Sequence, residues 1–85
     1  MNEEVLKFPC DYPIKVMGKT DSDVEKNVLA IVKQHFPEFN SEIEKRLSRD
    51  DNYVALTITV HATSRQQLEE IYMALTQCKD VLMTL

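Results

Sequence analysis

The chain has 85 residues, of which 44% are hydrophobic and 28% charged, and its formal net charge at pH 7 is −4. This length allows one domain with one modest core, and the acidic balance argues against nucleic-acid binding, which relies on basic surfaces that meet phosphates. No apolar run can span a bilayer and the N-terminus lacks the features of a secretory signal, so we expect neither a membrane nor a nucleic acid as a partner.

The chain begins with an N-terminal arm and a first strand. Residues 1–10 carry a weak pattern and are predicted to form an arm that lies along the domain. The strand is predicted over residues 12–17, where alternate residues share one face. Its inward-facing residues are Tyr12, Ile14 and Val16. Gly18, the only glycine, ends the strand, and we expect it where the backbone needs a positive φ or a very close approach.

The first helix is predicted from Ser22 to about Phe36, because apolar residues recur there at intervals of three and four. Its apolar stripe consists of Val24, Val28, Ile31, Val32 and His35. Ser22 and Glu25 have the spacing of a capping box, although Asp21 is a rival cap. Pro37 ends the helix.

A second strand is predicted from about Asn40 to Ser48, with Ile43 and Leu47 facing inward. The outward-facing residues are Glu42, Glu44 and Arg46. This charge and the sparse apolar content favour an edge position in the sheet. Residues 48–52 form a polar turn, so the second and third strands are predicted to form a hairpin.

The third strand, residues 53–62, has the most regular pattern in the chain. One side carries Val54, Leu56, Ile58 and Val60, and the other carries Tyr53, Ala55, Thr57, Thr59 and His61. Unbroken alternation of β-branched and apolar residues is typical of a strand with one buried face. We therefore expect this strand at the centre of an antiparallel sheet, with its apolar face under two helices.

A second helix and a short strand complete the chain. Thr63 or Ser64 caps the helix, and Ser64 with Gln67 again has the spacing of a capping box. The apolar stripe of this helix is Leu68, Ile71, Tyr72 and Leu75. The last strand is predicted at residues 81–85, where Val81, Met83 and Leu85 alternate with Leu82 and Thr84, and the latter pair faces the open side of the sheet.

The order β-α-β-β-α-β predicts an α+β fold, the ferredoxin-like sandwich, with a four-stranded antiparallel sheet and both helices on one face. Right-handed crossovers give the strand order 4-1-3-2 within one domain, residues 1–85. One end of the sheet should gather the Gly18 loop, the turn at 48–52 and residues 77–80. The other end should gather Cys10, the helix end at His35 and residues 61–64.

Several motifs occur in the same order along the chain. They are Phe8-Pro9, Tyr12-Pro13-Ile14-Lys15-Val16-Met17-Gly18, Asn52-Tyr53, Ala62-Thr63 and Val81-x-Met83-x-Leu85. Together they resemble the YbeD-like family of small bacterial proteins of unknown function, over nearly the whole chain. The resemblance implies a βαββαβ sandwich similar to ACT regulatory domains, which bind small effectors or each other, and it implies no catalytic activity.

The loop after the first strand is the predicted ligand site. Met17, Gly18 and Lys19 lead into a helix N-terminus, where free amides and the helix dipole can hold a carboxylate or phosphate. The equivalent loop of ACT domains, to which the resemblance points, contacts the effector. The alternative is that Gly18 only makes the turn, because Asp21, Asp23 and Glu25 would repel an anion there.

The open face of the sheet is the predicted association surface, because it carries few charges and little energy is needed to desolvate it. Its tentative members are Lys15, Tyr53, Thr57, Thr59 and Leu82. We expect association with a second copy, through this face or through an edge strand, giving a homodimer, or association with another protein. The alternative is an ordinary solvated face of an antiparallel sheet.

No cofactor, metal site or catalytic residue is predicted. Cys10, His35 and His61 are metal-binding residue types, but His61 has the opposite parity to Val60 and points to the open face, whereas His35 lies on the helix side. Cys10 and Cys78 map to opposite ends of the sheet, so we expect no disulfide and a cytoplasmic protein with reduced thiols.

These features predict a small non-catalytic regulatory or interaction module that binds a small metabolite or a protein partner in the manner of ACT domains. The alternative is a small enzyme of the acylphosphatase type on the same fold. Acylphosphatases need an arginine and a glycine-rich phosphate cradle in the first strand–helix loop. In this loop Lys19 is the only basic residue and Gly18 the only glycine, so the alternative is disfavoured.

Overall fold

A computed structural model describes residues 7–85, and the first six residues of the predicted arm lie outside this range. The elements are β1 (Cys10–Lys19), α1 (Val24–His35), β2 (Glu44–Leu47), β3 (Tyr53–Ala62), α2 (Arg65–Thr76) and β4 (Met83–Thr84). All strand pairs are antiparallel, in the order β2-β3-β1-β4, which is 4-1-3-2 read from the opposite edge. The predicted α+β sandwich is confirmed.

The centre of the sheet is the ten-residue ladder between β1 and β3. Cys10 lies opposite Ala62 at one end, and Lys19 lies opposite Tyr53 at the other. Within the ladder Ile14 is paired with Ile58, and both side chains are fully buried. The predicted alternation of β3 is confirmed, because its buried side chains are Val54, Leu56, Ile58, Val60 and Ala62.

Both helices pack on one face of this ladder and form a single core with it. The helix residues in that core are Val24, Val28, Val32, Phe36, Leu68, Ile71 and Leu75. Partly buried Phe8, from the predicted arm, packs against the same cluster. The predicted apolar stripes of the two helices therefore define the layer that covers the sheet.

The two predicted capping boxes have different outcomes. In α2 the Ser64 hydroxyl accepts from the Gln67 amide at 3.3 Å, as predicted, but the Gln67 side chain accepts from the amide of Thr63. In α1 the box does not form, because the Ser22 hydroxyl accepts from the Val24 amide at 3.3 Å and not from that of Glu25, and Asp23 occupies the N-cap without a side-chain bond. The Ser22 hydroxyl also donates to the Lys19 carbonyl at 2.7 Å, so Ser22 links the preceding loop to the first residue of the helix.

The predicted length of the edge strand β2 is wrong. It pairs with β3 only over Glu44–Leu47, and all four side chains are exposed, including Leu47 at 51%. The segment before it leaves the strand position because Phe39 and Ile43 pack against the core from a loop. The predicted inward position of Leu47 therefore gives no burial at this sheet edge.

The prediction of which residues of the last strand face the helices and which face the open side is also wrong. Thr84 pairs with Val16 and so lies on the helix side, whereas Met83 pairs with Met17 and lies on the open face. A turn precedes the strand, in which the Val81 amide donates to the Cys78 carbonyl at 3.1 Å. Val81 packs against the core, and the alternation of faces begins anew after this turn. Partner register, and not the local pattern of the last five residues, decides which face each side chain occupies.

Gly18 has no positive φ, so the first of its two expected roles is wrong and the second holds. A Cβ atom at Gly18 would lie 2.6 Å from Val24 Cγ2, closer than real side chains approach. Asp51, in the β2–β3 turn, is a non-glycine residue with a positive φ, of 60°. Within residues 7–85 no helix is long and apolar enough to cross a membrane.

Candidate functional site

Three connections meet at the Gly18 end of the sheet, as predicted. The Thr20 hydroxyl donates to the Asp51 carbonyl at 2.6 Å, and the Thr20 amide donates to the Asn52 carbonyl at 3.0 Å. The Asn27 side chain donates to the Asp80 carboxylate, which links α1 to the α2–β4 connection. These bonds use groups of the loops themselves and close this end of the fold.

The turn between β2 and β3 is organised by one carboxylate. Asp50 accepts from the Ser48 hydroxyl at 2.9 Å and from the Asn52 side-chain amide at 2.8 Å. The Ser48 bond, followed by the backbone bond from Asn52, holds the pKa of Asp50 below its usual 3.8. This network fixes the turn that receives the Thr20 hydrogen bonds.

The three predicted ligand residues do not line one cavity. Gly18 is buried against Val24 and Asp80, and Met17 points to the open face beside Met83. Lys19 lines a shallow cleft of about 280 Å³. Its other lining residues are Thr20, Asp21, Asn52 and Tyr53. A ligand site at Met17, Gly18 and Lys19 stays a prediction, and it has no arginine or glycine-rich cradle.

A larger cleft of about 580 Å³ lies at the opposite end of the sheet. One wall is formed by residues 35–41, from the last residue of α1 through the following loop. The other wall comes from the ends of β1 and β3 and the start of α2, through Asp11, Thr59, His61, Thr63 and Gln67. Its volume falls in the range of small-molecule pockets.

Aromatic side chains anchor the loop wall of this cleft. Phe36 is buried, and its amide donates to the Val32 carbonyl at 2.7 Å. The Phe39 amide donates to the Phe36 carbonyl at 2.9 Å, and the Phe39 ring packs against the core. The loop is therefore attached to the domain through two phenylalanines, while Glu38, Asn40 and Ser41 remain exposed.

Polar side chains across the cleft have defined partners. His61 Nδ1 and Asp11 Oδ1 are 3.0 Å apart, as expected for residues paired across β1 and β3. Gln67 Oε1 accepts from both the amide and the hydroxyl of Thr63. His35 and His61 line the same cleft, although they come from opposite sides of the sheet. The part of the chain that the structure describes holds no group of three or more potential metal ligands.

The open face carries a row of apolar side chains across three strands. Met83 of β4, Met17 of β1 and Ala55 of β3 are consecutive cross-strand neighbours, and Arg46 of β2 follows. Met83 is 52% exposed, and Met17 and Ala55 are half-buried. No helix within residues 7–85 covers this face, because α1 and α2 both pack on the other one.

Four of the five predicted association residues lie on this face, namely Lys15, Tyr53, Thr57 and Thr59. Leu82 precedes β4, and its amide donates to the Met17 carbonyl. Met83 occupies the position on the open face that was predicted for Leu82. The sequence pattern indicated neither Met83 on the open face nor the loop wall at 36–41. The signal available for the loop was Pro37 together with two phenylalanines three residues apart.

Comparisons with known proteins give consistent matches along the chain. A family model described as a protein of unknown function, DUF493, matches residues 3–85. A UPF0250 protein of Paraburkholderia phytofirmans is 47% identical over 77 residues, which cover 89% of this chain and 86% of the relative. UPF0250 protein NE1487 of Nitrosomonas europaea is 46% identical over 74 residues, which cover 86% and 85%.

Two solved structures share the fold at low sequence identity. The solution structure of protein HP0495 from H. pylori has a TM-score of 0.77 and 16% identity, and the match covers 95% of this chain and 86% of that one. The ACT domain of GTP pyrophosphokinase from Chlorobium tepidum has a TM-score of 0.62 and 13% identity, covering 89% and 97%. At these identities the likeness concerns the fold alone, which is ACT-like.

Proposed function

This chain belongs to the DUF493 family of proteins of unknown function, and from that premise we propose that it is a non-catalytic regulatory or interaction module. The resemblance to YbeD-like proteins is confirmed by the same match. In our proposal the module works in the manner of ACT domains, by pairing the open face of its sheet with that of a second copy.

The apolar row on the open face is the observation that carries this proposal. Met83, Met17 and Ala55 lie side by side on the face opposite to α1 and α2. Leu85, 60% exposed, exchanges backbone hydrogen bonds with Lys15 and extends the apolar area at the β4 edge. A row of this kind favours burial against a partner, because removal of apolar surface from water is the main driving force of association.

Charges around the row favour a second copy as the partner. Lys15 and Arg46 supply positive charge, and Glu44, paired with Thr57, supplies negative charge on the same face. In a two-fold dimer the same patch meets itself, so a face that carries both signs can place opposite charges together.

The geometry also supports a role without catalysis. The acylphosphatase alternative requires an arginine and a glycine-rich phosphate cradle at the first strand–helix loop. In this loop Lys19 is the only basic residue, and Gly18, the only glycine, is packed against Val24 and Asp80. His61 is exposed and bonded to Asp11, and no hydroxyl or thiol within residues 7–85 bonds to its ring. A hydroxyl or thiol nucleophile activated by His61 is therefore not assembled in this part of the chain.

Analytical ultracentrifugation tests the proposal directly. The protein at tens of micromolar should sediment with twice the monomer mass. Met83→Glu and Thr57→Glu each place a negative charge in the centre of the proposed interface and should shift the population toward monomer. Circular dichroism should show that both variants keep the fold, because neither side chain belongs to the core.

Met73→Glu is the matched control. Met73 is 64% exposed on α2, on the helix side of the domain, and its replacement should leave the dimer unchanged. A wild-type protein that is strictly monomeric at this concentration, or an equal effect of Met73→Glu, would contradict association through the open face.

A further inference from the structure

The central strand β3 extends beyond its neighbour β2 at the end that forms the larger cleft. The last bridge between them joins Glu44 to Thr57, and the chain before Glu44 runs in the loop wall and not beside β3. The final part of β3, residues 58–62, therefore has β1 on one side and no strand among residues 7–85 on the other.

The ladder shows which backbone groups point to this free edge. Lys15 and Leu85 exchange both N–H···O bonds, so the backbone polar groups of Lys15 face β4 and those of Thr57, its partner in β3, face away from β1. The Tyr53 carbonyl, which accepts from Ser48, has the same direction. Because direction repeats every two residues, the N–H and C=O groups of Thr59 and His61 also point outward.

The outward N–H and C=O groups of Thr59 and His61 face the larger cleft and not a flat surface. Thr59 and His61 line it from the sheet, and the loop anchored by Phe36 and Phe39 faces them across about 580 Å³. No bond from a described residue reaches the outward amide or carbonyl of Thr59 or His61. Unpaired edge groups beside a walled groove are the arrangement that binds extended peptides as an added strand.

The charges of the cleft indicate the kind of peptide. Asp11 and Glu38 line it, and none of its lining residues is a lysine or arginine. We propose that the edge of β3 at Thr59 and His61 binds an extended segment of another protein that carries a lysine or arginine. The segment forms backbone hydrogen bonds with both residues, and its basic side chain lies near Glu38. This site is separate from the Met83–Met17–Ala55 row and goes beyond the proposed self-association.

Hydrogen exchange measured by NMR on the full chain tests the proposal. The probe is an acetylated and amidated pentapeptide of valine and threonine with a central lysine. At a concentration about ten times its Kd, exchange of the Thr59 and His61 amides should slow about tenfold. The same peptide with a central glutamate should bind more weakly, and Glu38→Gln should reduce the difference between the two peptides.

One pair of variants isolates the backbone bond. Thr59→Pro removes an outward amide that takes no part in the β1–β3 bonds, at a position opposite Pro13, where β1 already carries a proline, and it should weaken peptide binding. Thr59→Ala keeps the amide and removes most of the side chain, so the additional loss in Thr59→Pro measures the backbone contribution. If Thr59→Pro does not fold, a peptide N-methylated at its edge-facing amides serves the same purpose and should not bind.

Three results would overturn the proposal. The first is unchanged exchange of Thr59 and His61 with the lysine peptide, and the second is equal binding of the lysine and glutamate peptides. The third is protection of the same amides that grows with protein concentration in the absence of peptide, which would identify a second copy as the occupant of this edge.

Discussion

A Cβ atom at Gly18 would lie 2.7 Å from the carbonyl oxygen of Asp80, so the backbones of β1 and the α2–β4 connection touch at this position. The same atom would lie 2.6 Å from Val24 Cγ2, at the start of α1. Gly18 is therefore required for a close approach of three segments, and its ordinary φ does not make it replaceable.

Gly18→Ala should lower the free energy of unfolding by about 1–3 kcal/mol, as overpacking of a tight site does. A backbone carbonyl and a stiff β-branched side chain have little freedom to move aside. Urea denaturation of the two proteins measures the difference. An increase in stability, of about 0.4–1 kcal/mol for a glycine that alanine replaces without strain, would show that the contacts relax.

The double variant Gly18→Ala with Val24→Ala separates the two contacts. Val24→Ala alone removes buried methyl groups and should destabilise the core. Because it also opens space beside position 18, the double variant should lose less free energy than the two single losses combined. Strict additivity would mean that the contacts that remain, with the Asp80 carbonyl and with Val24 Cβ, cause the strain.

The centre of the fold was predictable because local pattern and tertiary environment agree there. The alternation over residues 53–62 is complete, so the strand, its bounds and its buried face all follow from period two. The helix stripes agree with burial for the same reason, as Val28 and Leu68 show. In these elements one side faces the core along the whole length, so the pattern of hydrophobic residues matches the pattern of burial.

The edges and the cleft were not predictable, because they depend on partners distant in the sequence. Thr84 faces the helices only because it pairs with Val16. The residue at which β2 begins depends on the packing of Phe39 and Ile43 against the core. The larger cleft combines residue 11, the segment 35–41 and residues 59–67, which no local pattern connects. The sequence indicated which residues share that end of the sheet but not that a cleft separates them.

Ile58→Ala tests the buried face of β3. Ile58 is fully buried at the centre of the sheet, and its truncation should cost about 2–5 kcal/mol in free energy of unfolding. The neighbouring exposed residue supplies the control, since Thr59→Ala should change stability by no more than about 0.5 kcal/mol. Urea melts of both variants give the comparison, and a loss below about 1 kcal/mol for Ile58→Ala would contradict the core assignment.

Asp51 in the β2–β3 turn tests the backbone conformation. Its φ of 60° is left-handed, and its carbonyl accepts the Thr20 hydroxyl. Asp51→Asn should leave stability nearly unchanged, because asparagine tolerates this region, whereas Asp51→Val should cost about 1–3 kcal/mol. Thermal melts would show the contrast, and equal melting temperatures for the two variants would mean that the turn adopts another conformation.

Tyr72 connects α2 to the end of the chain. Its hydroxyl donates to the Leu85 carbonyl at 3.2 Å, and its ring meets that of Tyr12 edge-on, with centroids 6.4 Å apart. Burial, followed by the interaction with Tyr12, raises the pKa of Tyr72 from 10.0 to about 12. The native state therefore holds this proton more tightly than the unfolded chain does.

The raised pKa of Tyr72 predicts a loss of stability in alkaline solution. Because the folded pKa exceeds the unfolded one, the contribution of this tyrosine is complete below pH 10 and is lost as the pH rises toward about 12. The free energy of unfolding should fall more steeply across this window in the wild type than in Tyr72→Phe, which has no phenolic proton to lose. Urea melts at several pH values give both slopes, and the ultraviolet absorbance of phenolate should show one late-titrating tyrosine that is missing in the variant. Parallel slopes in the two proteins would show that the Tyr72 hydroxyl is solvated in the native state and does not hold its proton.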